Sequence, residues 1–228
     1  GHGRARCRAG GGNQRAWRMS TSLRLLAIGA TGLAATAFAG DDAPAAEPPA
    51  WAFGLTVYPT DVRGGQRYAS AIATADHGSV HLEARTNYES VGARSAFAGW
   101  NLAGGETVKW TLTPLLGVAW GTTKAWIPGL EMSLTWGQFD GYVEAEHVRA
   151  RAGQVDSDLY AWTEVGFRPV EGLRVGLAGQ RTRAFGNTRA LQRGPLVQVS
   201  WGALTLGGYW FNPGSADQVF MGMIGAAF

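Results

Sequence analysis

One stretch, Thr107–Val148, restricts the fold more than any other part of the chain. Apolar and polar residues alternate along it with a period of two, the pattern of a β-strand with one apolar and one polar face. In its first run the apolar face carries Val108, Trp110 and Trp120, while Lys109 lies on the polar face. Two further runs of the same kind follow. The stretch therefore predicts three consecutive antiparallel strands, each with an apolar side and a polar side.

The tryptophans of this stretch are regularly spaced. Trp110 and Trp120 are ten residues apart, as are Trp126 and Trp136, and all four lie on apolar faces. At about 3.3 Å per residue and about 45° of tilt, ten residues rise about 23 Å, close to the roughly 25 Å apolar band of a membrane barrel. A soluble antiparallel sandwich gives no reason for this spacing. We therefore predict that these tryptophans form the aromatic girdles of a transmembrane barrel.

The amino-terminal part has the features of an export signal. Met19 begins a segment that contains Arg24, an apolar run from Leu25 to Phe38 and the small-x-small sequence Ala37-Phe38-Ala39. The apolar run is too short to span a membrane as a helix. We predict a signal peptide at residues 19–39, an upstream extension outside the fold at 1–18 and a disordered leader rich in alanine, proline and acid at 40–50.

Charge and cysteine content narrow the function classes. The whole chain has 20 basic and 17 acidic residues, but residues 1–39 hold six arginines and no acid. The remainder therefore has 14 basic and 17 acidic residues, a net charge of −3, which gives no support to nucleic-acid binding. Cys7, the one cysteine, lies in the predicted extension, and no His/Cys set has zinc-ligand spacing. The sequence predicts no cofactor and no metal site.

Residues 51–228 are predicted to form one all-β domain, an antiparallel up-and-down transmembrane barrel of about 12 strands, with 10 or 14 as the neighbouring counts. Turns on the side of the amino end, such as Asp76–Ser79 and Arg168–Gly172, are short, whereas Arg149–Ser157 on the opposite side is longer. This asymmetry is typical of outer-membrane barrels, whose periplasmic turns are short. Gly179 predicts either a bulge or the end of the apolar band.

The last strand carries the most specific mark. Phe220, Gly222, Ile224, Ala226 and Phe228 alternate and end in a carboxy-terminal aromatic residue. With this strand the chain resembles the bacterial outer-membrane β-barrel proteins. The resemblance implies a monomer in the outer membrane of a Gram-negative bacterium, in contact with its lipids and lipopolysaccharide. It also implies that Phe228 is part of the signal read by the barrel-assembly machinery.

The polar faces supply the candidate functional residues. We predict that the lumen is lined by His81, Glu83, Arg85, Lys109, Glu131, Asp140, Glu144, Glu146, Tyr160 and Glu164, with Arg181 and Arg183 near a rim. A hydrated channel predicts unpaired Glu144 and Glu146, whereas a plugged barrel predicts that they pair with arginine or lysine. The favoured function is a small passive channel for polar or ionic solutes. A closed structural or adhesive barrel is the alternative.

An outer-membrane lipid-modifying enzyme is the second alternative. Outer-membrane phospholipases and lipid A deacylases look like barrels with a His-x-Ser pair, and this chain contains His77 and Ser79. Residues two apart on a strand share a side, so the imidazole could reach the hydroxyl. The same Asp76–Ser79 segment is also a good hairpin turn, on the predicted periplasmic side. We therefore predict that the chain is not an enzyme.

Overall fold

The computed structural model describes residues 50–151, 158–184 and 189–228. The predicted extension, the predicted signal peptide and nearly all of the predicted leader lie outside these residues. No helix among the described residues is long and apolar enough to cross a membrane. The strands, in chain order, are β1 (Ala52–Val62), β2 (Arg67–His77), β3 (Val80–Thr86), β4 (Ala93–Trp100), β5 (Leu102–Gly104), β6 (Lys109–Gly121), β7 (Ala125–Trp136), β8 (Phe139–Ala150), β9 (Asp158–Val170), β10 (Leu173–Ala184), β11 (Arg189–Trp201), β12 (Leu204–Phe211) and β13 (Val219–Ala227).

The strands form a closed antiparallel barrel. Strands that are adjacent in sequence pair with each other, except β4 and β5, which both pair with β6; β1 also pairs with β13. Strands β4 and β5 are two segments of one barrel strand, because both pair with β6 in a single register: Gly99 lies opposite Leu115, and Leu102 lies opposite Leu112. The barrel therefore has twelve strands, as the sequence predicted. Closure leaves no strand at an open edge of the sheet, which a bilayer requires.

The two ends of the barrel differ in which residues they carry. At one end, here called the terminal end, the amide of Phe53 donates to the carbonyl of Phe228 at 2.7 Å, so the beginning of β1 meets the chain terminus. The loop between β12 and β13 lies at the opposite end, here called the far end. At the terminal end, hairpin turns carry glycines with positive φ, such as Gly137 (56°) and Gly202 (55°). Glycine adopts this left-handed conformation without strain, which permits turns this tight.

The outer wall is apolar and bordered by aromatic residues. Trp110 and Trp136 lie towards the terminal end, Trp120 and Trp126 lie towards the far end, and all four side chains are exposed on the outer face. Other exposed aromatic residues at the terminal end are Trp51, Phe53, Trp100, Phe139, Trp201 and Phe228. Between the two ends, the exposed residues include Leu55, Leu116, Leu130, Val143, Val165, Leu177, Leu206 and Ile224. An apolar surface this extensive suits hydrocarbon rather than water.

Prolines lie at several interruptions of the backbone ladder of the wall, and two of them border one groove. The β1–β13 register passes directly from Val57 to Thr60, leaving out Tyr58 and Pro59, and β11 begins to pair with β12 only after Pro195. Proline has no amide hydrogen to donate. A groove of about 750 Å³ lies at these interruptions, lined by Pro59, Pro195, Val197, Gly208, Trp210, Phe220 and Gly222 among others. The lining of this groove is mainly apolar, so the groove is suited to a lipid chain.

Strand β10 runs without a bulge at the predicted irregularity. Gly179 pairs regularly with Thr163 on β9 and with Arg193 on β11. The β9–β10 register shifts instead between Leu173 and Val175. The apolar outward run of β10 thus ends after Leu177, the second of the two possibilities that the sequence left open.

Candidate functional site in the barrel interior

Most of the predicted lumen residues are buried inside the barrel. Those whose side chains lie in the interior are His81, Glu83, Arg85, Glu131, Asp140, Glu144, Glu146, Tyr160 and Glu164. Lys109 is exposed at the terminal end of β6. Arg181 differs from the prediction, because it follows the outward alternation of Leu177 on β10, whereas Ala178 and Gln180 point inward. The side chain of Arg183 lies outside the described part of the chain. The role of these residues in a lumen remains a prediction.

Arg85 on β3 joins carboxylates from across the barrel. Its Nε donates to Glu83 Oε2 at 2.6 Å, and its Nη1 donates to Glu146 Oε1 at 2.6 Å and to Glu144 Oε1 at 3.3 Å. Its Nη2 lies 3.6 Å from Glu131 Oε1. We call these five side chains the Arg85 cluster. Because β4, β6 and β7 separate β3 from β8 along the wall, the contacts of Arg85 with Glu144 and Glu146 divide the interior into two compartments.

Aromatic side chains surround the guanidinium. The Arg85 Cζ atom lies 4.0 Å from the centre of the Phe97 ring and 4.4 Å from that of Tyr88. The Tyr88 hydroxyl donates to Glu144 Oε1 at 2.6 Å, and the Tyr88 ring makes an edge contact with Tyr160 at 6.1 Å. Cation–π contacts of this kind stabilise a desolvated arginine.

Both compartments are packed with side chains. One holds Phe97, Leu115, Ala119, Ala125, Ile127 and Val148. The other holds a larger set that includes Tyr58, Trp162, Tyr209, Phe211 and Met221. Trp162 and Phe211 are fully buried, and their rings meet edge to face at 5.5 Å. Side chains therefore fill the barrel interior on both sides of the Arg85 cluster.

The charges around Arg85 do not balance. Glu83, Glu131, Glu144 and Glu146 are all buried, and Glu89, in the segment after β3, is buried as well. Burial raises the pKa of the Glu89 carboxyl, because water no longer stabilises its charged form. One buried guanidinium thus contacts four buried carboxyl groups, and among the described residues Glu89 is a fifth buried carboxyl group without such a contact, so the middle of the interior is acidic.

A chain of hydrogen bonds extends from Glu83 towards the terminal end. His81 Nε2 lies 2.9 Å from Glu83 Oε1, and His81 Nδ1 lies 2.7 Å from Asp76 Oδ1. Asp76 also accepts from the Asn101 amide at 2.7 Å, and Asn101 Oδ1 accepts from Thr113 Oγ1 at 2.7 Å. Four adjacent wall segments, β2, β3, the β4–β5 junction and β6, therefore fix the orientation of one buried imidazole.

A second ionic cluster lies along the opposite wall. Arg174 Nε donates to Asp140 Oδ2 at 2.8 Å, and Arg174 Nη1 donates to Glu164 Oε2 at 2.5 Å and to Gln198 Oε1 at 3.2 Å. Arg168 also contacts Asp140. We call these five residues the Arg174 cluster. Its two arginines balance its two carboxylates, in contrast with the acidic surroundings of Arg85.

Sequence reasoning missed several interior residues. Arg174 alternates with the apolar residues Leu173 and Val175, so strand parity alone was sufficient to place it inside. Asp76 was assigned to a turn, although β2 continues to His77. Glu89 gave no signal, because it follows the end of β3, where the alternation stops.

The predicted His77/Ser79 pair flanks a tight turn. His77 lies opposite Val80 at the end of the β2–β3 hairpin, and Gly78 between them has φ 59°. The His77 ring packs against Trp51 at a centroid distance of 4.8 Å. The carbonyl of Ser79 accepts from the amide of Asn101 at 2.7 Å. In the described residues, no hydrogen bond joins the His77 imidazole to the Ser79 hydroxyl.

Comparison with known proteins gives structural neighbours but no sequence relatives. No protein-family model matches the chain, and no curated protein matches it significantly. A KdgM porin superposes with a TM-score of 0.60 at 6% identity, over 77% of this chain and 99% of the porin. A KdgM porin in complex with disordered oligogalacturonate gives 0.55 at 6% identity, over 78% and 98%. A NanC porin gives 0.51 at 7% identity, over 77% and 98%. The chain therefore has the fold of small porin-like β-barrels, in agreement with the resemblance inferred from its sequence.

Proposed function

We propose that this protein is an outer-membrane barrel that passes small polar or ionic solutes and favours cations over anions. The observation that carries the proposal is the acidic interior, in which Arg85 contacts four buried carboxyl groups and Glu89 is buried as well. Rings of carboxylates in a lumen attract cations and repel anions. The apolar outer wall and the porin-like fold support a place in the outer membrane, in contact with its lipids and lipopolysaccharide. We assign no catalytic role to His77 or Ser79.

The acidic interior also bears on the class of solute. One of the structural neighbours is in complex with oligogalacturonate, which is a polyanion. The carboxyl groups in contact with Arg85 outnumber its guanidinium four to one, and an anionic chain would be repelled there. We therefore propose a cationic or neutral solute. The Arg85 cluster is the constriction of this route, and conduction requires that Arg85 separates from Glu144 and Glu146.

A closed structural barrel is the second candidate. It is favoured by a specific observation, the pairing of both Glu144 and Glu146 with Arg85 in a layer without exposed surface. An unpaired, hydrated state of these two carboxylates is the arrangement expected of an open channel. In this alternative, the clusters of Arg85 and Arg174 serve to hold the walls together, and the outer loops carry the function.

Single-channel recording separates the two candidates. We expect the purified, refolded protein to give discrete conductance steps in a planar bilayer, with a reversal potential that shows cation preference. Glu144→Gln and Glu146→Gln should weaken this preference, because each removes one acidic group from the interior. The matched control is Glu106→Gln, in the exposed turn before β6. A folded barrel that gives no steps would rule out conduction and favour the structural candidate.

A further inference from the structure

We propose that His81, Glu83 and Glu131 form an interior binding site for a divalent transition-metal ion. One ligand atom from each of the three side chains lies within 4.8 Å of the others, and all three residues are buried. The imidazole nitrogen and the two carboxylate oxygens come from β3 and β7, so the fold itself brings them together. The site does not depend on whether the barrel conducts.

The His81 imidazole is oriented by a carboxylate on its Nδ1 atom, as is usual for histidines that bind a metal ion. Its Nδ1 lies 2.7 Å from the Asp76 carboxylate, which leaves Nε2 directed at Glu83. Asn101 in turn donates to Asp76 at 2.7 Å. A carboxylate on the far nitrogen of a histidine fixes the tautomer and the ring orientation, and such partners are a regular feature of metal sites. Asp76 would be a positioning residue, acting through His81.

The two glutamates give an independent indication of a bound cation. Among the described residues, the partners of the Glu131 carboxyl are Arg85 Nη2, at 3.6 Å, and the carboxyl of Glu83 itself. Glu131 is only 4% exposed. Two carboxylates in contact repel each other unless a proton or a cation compensates their charge. Arg85 contacts both of them, but its single charge is shared with Glu144 and Glu146. This pair, buried and facing an imidazole nitrogen, therefore has the arrangement that a metal ion would complete.

The charge balance is consistent with a divalent ion. His81 is neutral when its Nε2 binds a metal, so the charges nearest the site are those of Glu83, Glu131, Asp76 and Arg85. Their sum is −2, which a divalent ion neutralises. One nitrogen and two oxygen donors suit Zn²⁺, Mn²⁺, Fe²⁺ or Co²⁺ better than Ca²⁺, which takes oxygen ligands. Asp76, which is partly exposed, lies near the end of β2, on the terminal-end side of the site.

The test is metal binding by the full chain. The protein would carry Cys7→Ser to remove the one thiolate that could compete, and it would be refolded and freed of metal with a chelator. Titration with Co²⁺, followed by its visible absorption, should show one bound ion, and Zn²⁺ should displace it. His81→Gln and Glu131→Gln should each weaken binding at least tenfold. His147→Gln, on the outward face of β8, is the matched control and should leave it unchanged.

A positioning variant tests the site if the ligand variants fold poorly. Asp76→Asn should lower the affinity for Co²⁺ about 10- to 100-fold while preserving the shape of the absorption spectrum, because the ligands themselves remain. Equal Co²⁺ affinity in the parent protein and in folded His81→Gln would overturn the proposal. So would a folded parent protein that binds neither Co²⁺ nor Zn²⁺, since a shared proton would then account for the Glu83–Glu131 contact. Conductance plays no part in this test, so its failure is separate from failure of the proposed channel.

Discussion

Arg85 is the residue on which the interior depends most. It is fully buried and contacts four buried carboxylates, so its removal leaves several negative charges without a partner. Breaking a buried ion pair from one side costs about 3–5 kcal/mol. We expect Arg85→Met to lower the free energy of unfolding by about this amount. Denaturant titration of the barrel in lipid vesicles, followed by tryptophan fluorescence, measures the change.

An exposed ion pair provides the control for this prediction. Arg67 Nε lies 2.9 Å from Asp61 Oδ2, with side chains 83% and 48% exposed. Exposed pairs contribute at most about 1 kcal/mol, so Arg67→Met should have little effect. Arg85→Lys should fall between the two, because it keeps the charge but loses the planar fork. Equal losses in Arg85→Met and Arg67→Met would contradict the role assigned to the buried guanidinium.

Strand β10 contains two glycines, and the space available for a side chain differs between them. A Cβ atom added to Gly176 would lie 2.1 Å from the Val165 carbonyl oxygen on β9, whereas one added to Gly179 would meet nothing closer than 3.8 Å. The backbone cannot give way at Gly176 without separating β9 from β10. We expect Gly176→Ala to lower the free energy of unfolding by about 1–3 kcal/mol, the usual cost of overpacking.

The control for this element lies in the same strand. Gly179→Ala should be neutral or stabilising by about 0.5–1 kcal/mol, because alanine loses less chain entropy than glycine on folding. Both variants can be compared by denaturant titration under the same conditions. A neutral Gly176→Ala would show that β9 and β10 can separate more easily than their close approach indicates.

The sequence predicted the strands better than it predicted the contacts between them. Outward residues of a membrane barrel must be apolar, so alternation alone placed β6, β7 and β8 correctly, including the inward Glu144 and Glu146. Alternation along the strands could not predict which side chains meet in the Arg85 cluster. Arg85 and Glu146 are 61 positions apart, and their contact depends on how the closed barrel is filled. Arg181 shares the parity of the apolar run that ends at Leu177, so it would point inward only if a bulge at Gly179 reversed the alternation, and β10 pairs regularly there.

The whole molecule combines an apolar outside with an interior that is both ionic and tightly packed. Twelve strands enclose more space than the filled eight-stranded barrels and less than the wide porins. Here that space is divided by Arg85 and filled by side chains on either side of it, mainly aromatic in one compartment and mainly aliphatic in the other. Whether solutes pass therefore depends on movement of these interior side chains and not on the wall, whose closure is complete.

Assembly of the barrel in the cell gives a further prediction. Phe228 is 74% exposed and stacks on Phe53 at 6.0 Å, while its backbone is paired with Phe53 in both directions. The side chain therefore adds little to packing, in keeping with the proposal that it is read by the barrel-assembly machinery. We expect Phe228→Ala to lower the amount of folded protein in the outer membrane several-fold while leaving refolding of the purified protein into detergent unchanged.

A second outward aromatic residue on the same strand makes this prediction specific. Phe220 is 48% exposed and stacks on Trp210 at 5.4 Å, so Phe220→Ala removes a comparable ring from the other end of β13. If Phe228 acts as a recognition signal, only its loss should reduce assembly in cells. Immunoblots of outer-membrane fractions, with heated and unheated samples to distinguish folded barrel, give the comparison. Equal reduction by both variants would mean that Phe228 contributes only as one member of the aromatic belt.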